Sequence, residues 1–116
     1  MKYFLIIIFL GVLNASTARI LTYNLLNYED ENSREDDYVI ILDLVEPDLI
    51  IAQEIIGQTG YSHFQSDVLD VLEPNIWSSA PFTNQSAQQD IALYYKSDIF
   101  TFGIGVFLFI VLTLWY

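Results

Sequence analysis

Hydrophobic and polar positions alternate in blocks that predict a strand, a helix and a second strand before residue 55. Residues 19–24 are β-branched and aromatic with a period of two, which predicts a strand. A capping-box pattern at Ser33 and Asp36 then opens an amphipathic helix that Pro47 ends. The apolar positions of this helix are Tyr38, Ile41, Leu42 and Val45. The unbroken apolar run over 49–52 is typical of a strand buried on both faces.

The same patterning predicts a second helix and two further strands. Gly57 and Gly60 bound an expected turn, after which Ser62 is expected to cap the helix. Its apolar positions are Phe64, Val68, Leu69, Val71 and Leu72. Strands are expected over 76–79 and 90–96.

The order strand, helix, strand predicts a crossover unit with two parallel strands. Because the carboxyl ends of parallel strands meet at one edge of a sheet, Asn24 and Glu54 are expected to converge there. A carboxylate beside an amide suits a hard cation such as Mg²⁺ together with a phosphate oxygen. From the pattern alone, an Asn at a strand end more commonly forms a turn, and a Glu after a buried strand more commonly marks the return of the chain to solvent.

The N-terminal residues predict a secretory signal peptide over 1–18. Lys2 precedes an apolar run of residues 3–13 that is too short to span a bilayer, and small residues follow it. Cleavage is expected after Ala18, with Ala15 as the competing site. The protein is therefore expected to be exported, whether secreted, periplasmic or extracellular. A membrane anchor or a buried strand is the alternative for this segment.

Residues 99–116 form an uncharged hydrophobic tail. As a helix the tail would be about 27 Å long, just short of the ~30 Å hydrocarbon core of a bilayer. No Lys or Arg follows it as a stop signal. Two interpretations stand, a marginal membrane span that makes the protein membrane-associated, and the end of a truncated or frame-shifted sequence.

Composition narrows the classes of partner. The 116 residues carry a formal net charge of −11, so the surface repels a phosphate backbone and strong nucleic-acid binding is not expected. A divalent cation that bridges two negative partners keeps phosphate-ester chemistry open. The absence of cysteine excludes disulfides and thiolate chemistry.

Three segments resemble the endonuclease/exonuclease/phosphatase superfamily, the DNase I-like enzymes. ILTYNLLNY is similar to the family's opening motif, PDLIIAQEI to its second motif, and DIALYYKSDIF to its next strand. The resemblance implies an α/β fold, the N-terminal part of a four-layer α/β sandwich, with a partial domain over 19–98. Tyr23 stands where the family commonly has Trp, a change expected to affect packing only.

The resemblance also implies roles for three side chains. Glu54 would be the metal-binding carboxylate, Asn24 a catalytic residue that positions the metal or the scissile phosphate, and Gln53 a supporting residue. The metal would be Mg²⁺, or Mn²⁺ or Ca²⁺, and the substrate a phosphate ester of a nucleic acid, a lipid or a small molecule. The implied activity is hydrolysis of a phosphodiester or phosphomonoester.

The family's later motifs have no counterpart in the chain. An Asp-x-Asn motif and a terminal Asp-His pair are missing, since no charged residue or histidine follows Phe100. The expectation is therefore a truncated hydrolase that is inactive as this chain. His63 matches no family motif and is expected at the surface, and the acids between 27 and 37 are expected to be solvated rather than to bind metal.

Two other functions are consistent with the sequence. One is a noncatalytic, exported, membrane-anchored acidic module that binds a partner or a cation. The other is a small extracellular binding domain unrelated to the family, which requires the motif matches to be coincidental. A large separation between Asn24 and Glu54 would favour the latter.

Overall fold

The helices and strands follow the predicted order over most of the chain. A computed structural model describes residues 17–30, 32–84 and 89–103. The strands are β1 (Ile20–Tyr28), β2 (Leu49–Ile55), β3 (Trp77–Ser79) and β4 (Asp90–Lys96). The first helix is α1 (Asn32–Val45), and the second consists of α2 (Gly57–His63), a π-helical segment (Phe64–Leu69) and α3 (Asp70–Leu72).

The strands form one mixed sheet in the order β1-β2-β4-β3. β1 and β2 are parallel, as the crossover predicts, whereas β4 is antiparallel to both of its neighbours, β2 and β3. The protein is thus a small mixed α/β domain. Most of the predicted signal peptide (1–16) and of the hydrophobic tail (104–116) lies outside the described residues. No helix in the described ranges has the length and apolarity needed to cross a bilayer.

The first helix ends as its sequence predicts. Glu46 takes a left-handed conformation (φ 51°), and its backbone N–H donates to the Leu42 carbonyl at 2.8 Å. This geometry satisfies a terminal carbonyl of the helix, and Pro47 follows because it cannot continue the hydrogen-bonding pattern. At the other end the helix begins at Asn32, one residue before the predicted cap Ser33.

The second helix begins earlier than predicted, because the segment expected to be a turn is its first turn. It starts at Gly57, five residues before Ser62. Gly60 is needed for close packing rather than for a turn, since a Cβ on it would lie 2.4 Å from the carbonyl oxygen of Tyr28. That contact involves residues far apart in sequence, so no local pattern signals it.

Both helices cover one face of the sheet. Ile50 and Ala52 of β2 and Ala92 and Tyr94 of β4 pack there against helix side chains. The centre is aromatic: Tyr28, Tyr38, Phe64 and Tyr94 form edge-to-face and tilted pairs with centroids 5.2–5.9 Å apart. This interlocked cluster positions both helices on the sheet.

The second face of the sheet is also apolar. Leu49 and Tyr95 are buried there beneath Phe100, the second residue of the predicted tail. Further out on the same face, Ile20 and Ile91 are 65% and 61% exposed. The sheet therefore presents apolar side chains to solvent on the side away from the helices.

Candidate functional site

Asn24 and Glu54 converge, as the parallel arrangement of β1 and β2 predicts. The side-chain amide Nδ2 of Asn24 donates to Oε1 of Glu54 at 2.9 Å. The predicted location at strand ends is wrong in detail, because β1 continues to Tyr28 and β2 to Ile55. Both residues lie inside their strands, at an irregularity that the pattern of apolar residues does not encode.

A bulge in β2 turns Glu54 toward Asn24. The pairing of β2 with β4 loses its regular register between Ala52 and Ile55, and Glu54 has φ 58°. With strict alternation Glu54 would share a face with Ala52, which is buried in the core, whereas Asn24 lies on the opposite face. The left-handed backbone breaks this alternation and brings the carboxylate to the amide.

β1 is bulged at the same place. Its register against β2 shifts between Asn24 and Tyr28, where Leu26 and Asn27 have φ values of 53° and 58°. The left-handed region is unfavourable for a residue with a side chain, by about 1 kcal/mol or more for each residue. Oδ1 of Asn24 accepts from the Leu26 N–H at 2.9 Å, so the amide binds both its own bulge and Glu54.

Side chains from α1 hold the β1 bulge in place. The Arg34 guanidinium donates to the carbonyls of Leu25 and Leu26 at 2.9 and 3.0 Å, and the Tyr38 hydroxyl donates to Leu25 at 2.9 Å. These bonds satisfy carbonyls that the bulge removes from the sheet. They also offset the cost of the left-handed residues.

Two residues that sequence reasoning did not include lie near this edge. Gln89 donates from Nε2 to Oδ1 of Asn27 at 3.0 Å. Asp90 is 2% exposed and pairs in register with Ile55, the residue after Glu54. In the sequence, Asp90 could be recognised only as an acidic residue at the first position of a predicted strand. The antiparallel pairing that brings it here is a tertiary feature.

Gln53 lies beside Asn24 in the register of the parallel pair and is exposed. It forms none of the hydrogen bonds that hold the bulges. Its position is consistent with a supporting side chain that contacts a ligand.

The donors at this edge suit a cation that keeps most of its water. In the described part of the chain, Asn24 is the only hydrogen-bond partner of the Glu54 carboxylate, which leaves Oε2 for a metal. Mg²⁺ typically binds through one or two carboxylates and retains several waters. Glu54 can therefore offer one carboxylate oxygen to a divalent cation.

A separate groove lies away from this site. Its volume is about 300 Å³, and it is at the opposite end of the sheet, where Arg19, Asp48 and Lys96 line it. Lys96 pairs there with Glu73 at 3.2 Å, and Arg19 pairs with Glu46 at 2.9 Å. Because its cations are already paired, this groove offers no free charge complementary to a phosphate. The candidate site is instead the end of the sheet where Asn24 and Glu54 meet.

No protein-family model matches the chain, and neither the curated proteins nor the solved structures contain a match to it.

Proposed function

We propose that this chain is the N-terminal part of an exported, divalent-metal-dependent phosphoesterase of the endonuclease/exonuclease/phosphatase type. The observation that carries the proposal is the hydrogen bond between Asn24 and Glu54 at two adjoining bulges. Left-handed conformations in residues other than glycine persist where the surroundings enforce them, and they concentrate at functional sites. The same two residues occupy the motif positions that resemble this family.

In this proposal the chain supplies the metal ligand and its support. Oε2 of Glu54 would bind Mg²⁺, while Asn24 orients the carboxylate through Oε1 and Gln53 contacts the phosphate or a bound water. A bound metal would stabilise negative charge on the phosphoryl oxygens. The substrate class is a phosphate ester.

The apolar second face of the sheet supports the larger fold. An isolated domain that exposes side chains such as Ile20 and Ile91 on a sheet face leaves favourable burial unused. In a four-layer sandwich a second sheet would cover this face. We therefore propose that the described domain is one half of such a sandwich.

Metal binding is tested with Mn²⁺ as a paramagnetic substitute for Mg²⁺. In the full chain, Mn²⁺ is expected to broaden the amide signals of Asn24, Gln53 and Glu54, and Glu54→Gln is expected to remove this broadening. Asp98→Asn, which neutralises an exposed acid in a turn, is the matched control and should leave the broadening unchanged. Uniform broadening that Glu54→Gln does not reduce would contradict the assignment of Glu54.

The activity has a separate test. Because the later family motifs are missing from the chain, no Mg²⁺-dependent hydrolysis of a phosphodiester is expected from it alone. Reading all frames of the nucleotide sequence downstream of Tyr116 tests the truncation, since an Asp-x-Asn and a later Asp-His pair should then be encoded. Robust turnover by this chain that is lost in Glu54→Ala would show that the truncated chain is active.

A further inference from the structure

Asp30, His63 and Asp67 bring three metal-ligating groups together, none of them shared with the Asn24–Glu54 pair. Nδ1 of His63 lies 2.6 Å from Oδ2 of Asp67 and 3.6 Å from Oδ1 of Asp30. One ligand atom from each residue lies within 4.8 Å of the other two. Both carboxylates are thus directed at the same ring nitrogen.

Two well-packed elements supply these side chains. His63 and Asp67 are four residues apart on the second helix, across the start of its π-helical segment, and Asp30 follows β1. Gly60 places the helix directly against the backbone of Tyr28 and Glu29, since a Cβ there would lie 2.4 Å and 3.2 Å from their atoms. This contact sets the separation of Asp30 from the helix before any ligand binds.

The charge of the cluster is incompletely balanced. Across the described residues, His63 is the only basic side chain paired with Asp30 or Asp67. When the imidazole is neutral, two carboxylates face each other without a counter-charge. Glu35, which accepts a hydrogen bond from Tyr28, adds negative potential at His63. A divalent cation would relieve this repulsion.

We propose that Asp30, His63 and Asp67 form a binding site for a divalent metal that prefers imidazole ligands, with Zn²⁺ as its representative. Tetrahedral zinc with bonds of about 2.0–2.2 Å holds its ligand atoms roughly 3.3–3.6 Å apart. The pair His63–Asp30 already meets this separation at 3.6 Å, and the pair His63–Asp67, at 2.6 Å, has to open slightly. Water completes the coordination at this partly exposed position.

The donor set distinguishes this site from a magnesium site. An imidazole nitrogen favours zinc and its neighbours in the first transition row over Mg²⁺ and Ca²⁺, which prefer oxygen ligands. Ser66 donates to Oδ1 of Asp67 at 2.8 Å and so holds Oδ2 toward the ring. Metal binding at Nδ1 displaces the proton that this nitrogen shares with Asp67, and the ring keeps its proton on Nε2. The proposal does not depend on the function proposed for Glu54.

Because His63 is the only histidine, its ring signals report directly on the site. The experiment uses the full chain, purified with a tag that contains no histidine. On titration with Zn²⁺ alone, the two carbon-bound ring protons of His63 are expected to shift and to saturate at one ion per chain. An excess of Mg²⁺ should leave them unchanged. Ring signals that do not respond to Zn²⁺ would overturn the proposal.

Variants separate this site from general binding to an acidic surface. Asp30→Asn and Asp67→Asn are each expected to weaken Zn²⁺ binding, measured by titration calorimetry, by roughly tenfold or more. Asp43→Asn removes the same charge from an exposed position on α1 and should leave the affinity unchanged. If Asp43→Asn weakens binding as much as Asp67→Asn does, the effect is nonspecific electrostatics and the proposal fails.

Discussion

Replacing Gly60 with alanine has two opposite effects on the free energy of unfolding. Alanine is favoured over glycine inside a helix by about 1 kcal/mol, so helix propensity alone predicts a gain in stability. The added Cβ would lie 2.4 Å from the carbonyl oxygen of Tyr28 and 3.2 Å from Cγ2 of Ile55. The closer contact is with backbone, so no rotation of a side chain relieves it.

The steric effect is expected to be the larger. Ordinary contact begins near 3.4 Å, so the helix and the end of β1 must separate by about 1 Å. Such overpacking costs about 1–3 kcal/mol, and after the gain in propensity a net loss of about 1–2 kcal/mol remains. The shift also moves Asp30 relative to His63, so Zn²⁺ affinity should fall along with stability.

The measurement is urea unfolding followed by the fluorescence of Trp77, which is buried. Trp115→Phe in every sample leaves Trp77 as the only tryptophan. Thr59→Ala is the matched control, since it raises helix propensity at an exposed neighbouring position without a clash. If Gly60→Ala is as stable as Thr59→Ala, the close approach of helix and strand is not a real constraint.

Three further predictions concern single contacts. Tyr38→Phe removes the hydroxyl that donates to the Leu25 carbonyl, so the free energy of unfolding should fall by about 1 kcal/mol in the same assay; no change would mean that Arg34 suffices. Lys96→Met leaves Asp48 and Glu73 without their shared cation, and the expected loss of about 1–2 kcal/mol should shrink in high salt if it is electrostatic. The hydrogen bond to Asp67 is the main cause that raises the pKa of His63 above 6.5, and the charges of Asp30, Asp67 and Glu35 add to it. The stabilisation of the fold by protonated His63 should be fully present below pH 6.5 and lost as the pH rises through the pKa of His63 in the folded state. The measurement is the urea midpoint across neutral pH, and His63→Gln should abolish this pH-dependent loss.

The ion pair between His63 and Asp67 also loses its contribution to stability at low pH. The hydrogen bond between Asp67 and His63 lowers the pKa of Asp67 below 3.8. The stabilisation by this bond is therefore present above pH 3.8 and is lost as the pH falls through the pKa of Asp67 in the folded state. The pair is therefore expected to stabilise the fold most between these two transitions.

The local pattern of apolar and polar residues was enough to predict most of the helices and strands. The recurrence of apolar residues in α1 and the uninterrupted apolar run of β2 have short-range causes, namely the helical repeat and burial of a strand on both faces. The crossover that makes β1 and β2 parallel also follows from their order, and so the approach of Asn24 to Glu54 could be predicted. The start of the second helix could not, because Gly60 serves a contact with Tyr28 that is distant in sequence.

The sequence by itself determined the order of helices and strands and which residues of β1 and β2 meet. Tertiary structure decided how they meet, since the β1 bulge with its left-handed Leu26 and Asn27 is held by bonds from α1 and from the residue before β4. It also decided that Asp30 and His63 face each other, although the acids before α1 suggested only a solvated surface. Local periodicity encodes which face of an element is buried, whereas bulges and side-chain clusters depend on contacts between residues far apart in the chain.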